Sequence, residues 1–463
     1  MPIVLATPPQ VANMIQQGAL ERAFHDGLFP QLHYRAEALV DEWQGNTGQE
    51  IFESRPGILA PVTTPLVPGN DPVPVAVSYE QWLARLERYG NSIDTHMPTA
   101  SVANANLWLR NIHQLGLNAG QTLNRVPRNA LFTKYLQGQT CLTAATAAID
   151  LVIQVASLNG FVDVVTAATS RPVPVSPANP LQITIETAVP FTRNVIAATP
   201  NDPAVPLGPG TLTLSAAVGA VVPIRTAVRA FDRPDIIRSG GGVSVDAIAA
   251  GDIAVLQDFI NATNILRAHN VPEHEDGYYH AHISPAVSGQ LFADAPIQRA
   301  LTALPDHPFY KKGFIGEIAG ILFFVNTESP TNLNAGATIA TGATSLFSTD
   351  VAAETVNSLG VRVGRTIVTG KGALYERYLN EAQYVTEAGI TGKIGEFDIV
   401  NAGQVIDIER VRLIMRAPMN RLQDVVSSTW SATTCFPVPS DILSGTGNQR
   451  FKRAVVIESS LGT

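Results

Sequence analysis

YYHAHISPAVSGQLFADAPIQRALTALPDHPFYKKGFIGEIAGILFFVNTESP, residues 278–330, is the stretch from which the fold is read. In its opening strand Tyr279, Ala281 and Ile283 fall on one face and Tyr278, His280 and His282 on the other, the period-two pattern of a half-buried strand. Ser284 offers a hydroxyl N-cap and Pro285 suits the first helical position, so the strand turns directly into a helix carrying Val287, Leu291 and Phe292. After a Gly-punctuated turn, residues 318–325 are too uniformly apolar for an exposed edge. They read as a buried central strand closed by Asn326 and Pro330.

The order strand, capped helix, second strand and Pro turn resembles the axial-domain core of tailed-phage major capsid proteins of the Hong Kong 97 type. Single modules recur on unrelated folds, so the flanking sequence has to agree. Residues 11–43 alternate short helical patterns with Gly27 and Pro30 before the Gly45-Asn46-Thr47-Gly48 breaker, and read as an arm with short helices. From 49 to 89, Pro56, Pro61, Pro65, Pro68, Pro72 and Pro74 punctuate strand-like pieces. Proline limits continuous sheet pairing, so this segment reads as a long two-stranded loop or a Pro-rich surface loop. Residues 101–136 carry Leu107, Ile112, Leu115, Leu123, Leu131 and Tyr135 near helical spacing, with Pro127 as a kink or break. Residues 143–234 alternate Pro-rich turns with β-like runs such as LQITIET at 181–187. Asp252 to Arg267 is a helical pattern stopped by Asn270 and Pro272. The last third holds GRTIVTGKGALYERYL and IERVRLIMRAPMNRLQDVVSSTW, strands in which Arg410, Arg412, Arg416 and Arg421 sit among apolar neighbours.

The resemblance covers about residues 45–459 and is nearest to the N-four-type podophage branch, in RAPMNRLQD and in KRAVVIES at 452–459. It implies an α+β chain of the Hong Kong 97 type with an N-terminal arm (1–45), an extended loop (46–90), a peripheral domain with a long spine helix (91–142 and 395–463), a β-rich insertion (143–235) and an axial domain (236–394). It also implies hexamers and pentamers closing an icosahedral shell around double-stranded DNA. The expected partners are a separate scaffolding protein, a portal, possible decoration proteins and DNA held weakly and without sequence preference. The expected location is the virion capsid, assembled in the bacterial host cytoplasm, and no cofactor or metal is required. An encapsulin-like compartment uses the same fold.

Composition agrees with a structural role. The chain has 463 residues, 45% of them hydrophobic, enough for several buried cores. A net charge of −8 argues against a dedicated nucleic-acid binder. Cys141 and Cys435 are too few and too far apart for a disulfide framework or a cysteine zinc site. The N-terminus lacks a secretion signal, and the apolar region 143–165 is broken by Asp150, Gln154, Asn159 and Asp163, so no membrane contact is expected.

Catalytic motifs are weak. His269, His274, His280 and His282 cluster with Glu273, Glu275 and Asp276, which admits a zinc-dependent cytosolic enzyme using His280 and His282, but no HExxH accompanies them. GRTIVTGKG misses the phosphate-loop spacing and its Ser or Thr. No GxSxG is present. The expected site is an interface instead, with Glu53, Arg55, Asp71, Arg85 and Arg88 of the extended loop as candidate intersubunit contacts. Some capsid relatives crosslink through a loop lysine, but none of the six lysines here lies in 46–90, so a noncovalent shell is expected.

Overall fold

The computed structural model describes residues 22–28, 32–44, 48–56, 62–65, 69, 71–72, 74–75, 77, 79–96, 98–99, 107–165, 171–302, 316–332, 347–348, 357, 359–379, 404–408, 410–416, 424–441 and 451–462. The start of the expected arm, Lys311, Lys312, Lys393, Arg421 and most of RAPMNRLQD lie outside them. The chain is mixed α/β, with few helices and many strands. It divides into two compact units: Met1–Ile51, Leu83–Arg128 and Tyr375–Pro437 form the first, and Phe52–Trp82, Asn129–Leu374 and Val438–Thr463 form the second.

The first unit is organised by one helix, Leu107–Tyr135, which continues into the second unit and runs unbroken through Pro127. Proline has no N–H to give the Leu123 carbonyl, but the surrounding turns hold the helix together. Ile112, Leu115, Ala119 and Leu123 line one face and pack on Val411, Leu413, Trp430 and Ala432 of the sheet. Their spacing is the apolar stripe seen in the sequence. The sheet runs in the order Leu39–Glu42, Tyr375–Tyr378, Val425–Cys435, Val411–Arg416, Gln404–Ile408, with Glu87–His96 paired to Val425–Cys435 as well. The register Glu87↔Thr434 to His96↔Val425 means that the expected loop ends before Glu87, where the chain has already joined this sheet.

The arm is less extended than the sequence suggests, because the helical residues 22–28 lie directly against the long helix, with Phe24 and Leu28 in its core. Two glycines permit the crossing. A Cβ at Gly116 would lie 2.3 Å from the Phe24 carbonyl oxygen, and one at Gly27 would lie 2.6 Å from that of His113. Further on, Asn124 Oδ1 accepts from the N–H groups of His33 and Tyr34 at 3.0 and 2.8 Å. Gly116→Val is therefore expected to lower the stability of this unit by about 1–3 kcal/mol. Amide exchange over residues 22–28 should accelerate, whereas a merely tolerant surface position would leave it unchanged.

In the second unit the strand-to-helix junction of the deciding module is found as read. Residues 318–325, expected as one buried central strand, instead turn at Ala319-Gly320, so that Glu317–Ile318 folds back antiparallel on Ile321–Val325 and Val325 is left exposed. Tyr279–Ile283 enters the helix Pro285–Ala293 through Ser284, whose Oγ accepts from the Val287 N–H at 3.3 Å. A second helix, Ala295–Thr302, follows, and Ile321–Val325 returns parallel to the first strand with Tyr279 opposite Ile321. The sheet order is Ile236–Arg238, Ala454–Ser460, Val363–Thr369, Tyr279–Ile283, Ile321–Val325, Glu317–Ile318. Ile321–Val325 is thus one strand in from the edge. Phe259, Ala262 and Leu266 of the helix Leu256–Ala268 close the core over Tyr279, Ala281, Ile283 and Val455.

The final strand corrects one expectation. Residues 454–460, assigned from the sequence to the peripheral domain, pair with Val363–Thr369 and Ile236–Arg238 in the second unit. Both Val363–Thr369 and Ala454–Ser460 are buried at every position, the condition of a strand covered on both faces.

The β-rich insertion is a closed barrel with its own core. Six strands run Gln139–Cys141, Ala227–Ala230, Leu181–Ile185, Phe191–Pro200, Gly210–Leu214, Val152–Val155, every pair antiparallel. The Leu142↔Val155 bridge and the Ala156 N–H to Cys141 carbonyl bond at 3.0 Å join last to first. Closure removes the edges that an open sheet of this length would expose. Leu142, Ile153, Leu181, Ile183, Val195, Leu212 and Val228 fill the interior.

Candidate assembly interface

The extended loop is a two-stranded hairpin, Glu50–Pro56 against Tyr79–Arg85. Strand alternation gives it two faces. Ile51, Glu53, Arg55, Glu80, Trp82 and Ala84 are half-buried or buried on one; Phe52, Tyr79, Leu83 and Arg85 stand out on the other. Phe52 is 50% exposed, Tyr79 54% and Leu83 46%. Among the described residues this sheet has two strands, and the Arg171 guanidinium lies 5.5 Å over the Phe52 ring. An isolated hairpin in water is marginal, so a largely apolar outer face calls for a covering surface.

The five residues expected at intersubunit contacts separate between these faces. Arg55 is occupied within its own chain, at 2.5 Å from Glu80 and in contact with Asp441, which also lies 3.4 Å from Arg453. Glu53 accepts from Trp82 Nε1 at 3.1 Å. Burial pushes the Glu53 carboxyl up, with the Trp82 hydrogen bond pulling the other way. These two residues fix the hairpin internally. Arg85, 3.6 Å from Glu50, is exposed, as are Asp71 and Arg88.

The hairpin root is anchored in the first unit. Trp43, Ala84, Leu86 and Cys435 form a small buried cluster, and the Leu86 N–H donates to the Gln49 carbonyl at 2.9 Å. Nearby, Arg35 and Glu376 make a buried forked pair, 2.6 Å at its closest, with Arg410 3.3 Å from the other carboxylate oxygen. Sequence reading missed these residues. The signal was a single Glu in the short strand ALYERYL, flanked by aromatic residues.

The histidines form a packing cluster. His280 Nε2 lies 2.8 Å from Asp276, and its ring stacks on His274 with centroids 3.9 Å apart. Burial raises the Asp276 carboxyl, and the hydrogen bonds from His280 and Tyr278 with the nearby histidine charges more than reverse it. His282 is buried. It stacks on Phe324 at 5.5 Å, while His280 meets the same ring edge-on at 5.0 Å. His280 thus hydrogen-bonds and stacks, and His282 packs on Phe324. Cys141 is buried, and burial pushes its thiol up to about 11, the opposite of an activated nucleophile. Among the described residues no helix is long and apolar enough to cross a membrane.

No protein-family model matches the sequence, and no curated protein matches it. Among solved structures, the chain is similar to the capsid of cyanophage Pam1, with 8% identity and a TM-score of 0.48 over 94% of this chain and 92% of that one. It is also similar to the capsid of Ralstonia phage GP4, with 12% identity and a TM-score of 0.47 over 93% and 91%. For the capsid of cyanophage P-SCSP1u the identity is 11% and the TM-score 0.45, over 92% and 88%.

Proposed function

We propose that this chain is a major capsid protein, a structural subunit that self-assembles as hexamers and pentamers into an icosahedral shell around double-stranded DNA. The observation that carries the reading is the hairpin 50–85, whose outer face presents Phe52, Tyr79 and Leu83 without a third strand or a helix of its own sheet. A copy of the same chain supplies that cover in a shell, where heterologous contacts repeat until rotation closes them. The chain order hairpin, long helix, α/β sheet supports it, since the resemblance to the Hong Kong 97 type implies that order; the barrel is an addition that the resemblance does not explain. Arg85, Arg88 and Asp71 are the rim charges of this contact. Such pairs are individually weak, and buried area carries the stability.

The remaining partners follow from the same reading: a separate scaffolding protein during assembly, a portal, decoration proteins, and weak, non-specific contact with DNA, given the net charge of −8. The site of action is the virion capsid, assembled in the host cytoplasm. Negative-stain electron microscopy of the expressed full chain, with and without a candidate scaffold, tests the proposal. Shells or capsomer sheets support it; a small monodisperse oligomer under both conditions overturns it. Because no lysine lies in 46–90, mature particles boiled in detergent should migrate as a single band of 49.3 kDa. A covalent ladder would refute the noncovalent shell.

A further inference from the structure

One end of the barrel is made of three loops, 142–151, 186–190 and 215–226, which join the strand ends at Cys141, Val152, Ile185, Phe191, Leu214 and Ala227. Loops 142–151 and 215–226 run antiparallel as an irregular ribbon. The N–H groups of Arg225, Val222, Gly219 and Val218 donate to the carbonyls of Leu142, Thr146, Ala148 and Asp150 at 2.7–3.1 Å. Polar backbone is therefore satisfied inside the ribbon; Leu142, Val218 and Val222 turn inward to the barrel core, and the side chains alternating with them face outward. Ile149 is 83% exposed, Val189 79% and Val221 77%, with Leu151 and Ile224 about half exposed. Five large apolar side chains exposed on the loops at one end of a barrel whose core is already complete mark a contact surface.

The charges at this end specify the partner. Glu186 pairs with Arg229, and the Arg193 guanidinium donates to the carbonyls of Ala217 and Val218 at 2.8 and 2.6 Å, so both are spent within the barrel. Asp150 and Arg225 remain, one at each end of the ribbon. Among the described residues the Asp150 carboxylate accepts the Ala147 N–H, at 2.6 Å, and Arg225 has no acid at ion-pair distance. One acid and one base at opposite ends of an uncharged apolar strip form a self-complementary pattern. A two-fold axis through its middle sets Asp150 of each copy against Arg225 of the other, with apolar side chains between. A nucleic acid would call for a concentrated excess of cations here, whereas Arg193, Arg225 and Arg229 stand against Asp150 and Glu186, an excess of one.

We propose that this barrel end is an isologous contact surface for a second copy of the chain, joining subunits across two-fold axes of the assembly. The inference rests on the capsid reading and adds to the hairpin contact, which is heterologous. The test uses shells and unassembled subunits of the full chain. Arg225→Asp creates like charges across the axis and should weaken two-fold association, read by sedimentation, at least about tenfold. Combining it with Asp150→Arg should restore association, because the pair is rebuilt with its signs exchanged. Ile149→Ser with Val221→Ser tests the apolar part without touching a charge and should also weaken association. Equal thermal unfolding midpoints for the subunits show that the barrel is intact. Shells that form normally with Arg225→Asp and with the serine variant overturn the inference alone. A wild-type chain that neither associates nor forms shells overturns it together with the capsid reading. Normal shells that have lost a different bound protein overturn it in favour of that partner.

Discussion

Glu458→Ala is expected to lower the stability of the second unit by about 3–5 kcal/mol, because it removes the buried carboxylate that two buried guanidinium groups share. Glu458 lies on Ala454–Ser460 between Arg238 on one neighbouring strand and Arg365 on the other, each directly opposite it in register. Its two oxygens accept from Arg238 Nε at 2.9 Å and Arg365 Nε at 3.0 Å. Arg238 is further held by Gln139 Oε1 at 2.5 Å and the Val243 carbonyl at 3.0 Å. The carboxylate is 1% exposed and the arginines 8% each, so little solvent screens the triad. Burial pushes the Glu458 carboxyl up, but the charges and hydrogen bonds of Arg238 and Arg365 outweigh it and hold the folded value below an ordinary glutamate.

That direction fixes the pH dependence. A depressed folded pKa stabilises fully above the unfolded-state value, about 4.3, and the stabilisation is lost as pH falls through the lower folded value. Glu458→Gln should therefore remove a component of acid sensitivity below about pH 4.3 while lowering stability at pH 7. Thermal unfolding of both proteins across pH 3–7 measures this. Parallel curves for wild type and Glu458→Gln would contradict the assignment.

The second large effect concerns assembly without loss of folding. Phe52→Ser with Leu83→Ser should leave the subunit melting point nearly unchanged, since both side chains are half exposed in the single chain. Shell formation should fail. Fully burying a large apolar side chain contributes about 1.5–3 kcal/mol, and each changes sides only when a neighbour covers it. Because each is already about half buried in the single chain, the two losses per contact amount to about 1.5–3 kcal/mol, roughly ten- to a hundredfold in association, repeated at every subunit. Light scattering during assembly reads the result. Unimpaired assembly would mean that the hairpin face is covered by something other than another copy.

The sequence discloses the local devices well. Ser284 and Pro285 announce the strand-to-helix junction, and the stripe Ile112, Leu115, Leu123 marks the long helix, because capping and helical periodicity act within a few residues. The Pro-rich segment likewise marks, through its missing donors, the interruption between the paired strands Glu50–Pro56 and Tyr79–Arg85. Long-range pairing leaves no such trace. KRAVVIES looks like a buried strand, but nothing in its period says which sheet receives it, and it joins Val363–Thr369 nearly a hundred residues upstream. Closure of the barrel depends on Leu142 meeting Val155, invisible in a run of alanines and threonines. The candidate site was half legible for the same reason. Arg85 and Arg88 are exposed as expected, whereas Arg55 is drawn into its own chain by Glu80 and by Asp441, whose approach only the fold reveals.

Electron cryomicroscopy of particles formed by the full chain tests the central claim most directly. The account predicts an icosahedral shell of hexamers and pentamers in which the outer face of the hairpin 50–85, with Phe52, Tyr79 and Leu83, lies on an adjacent copy. A small closed oligomer, or a shell in which that face stays in solvent, would contradict it.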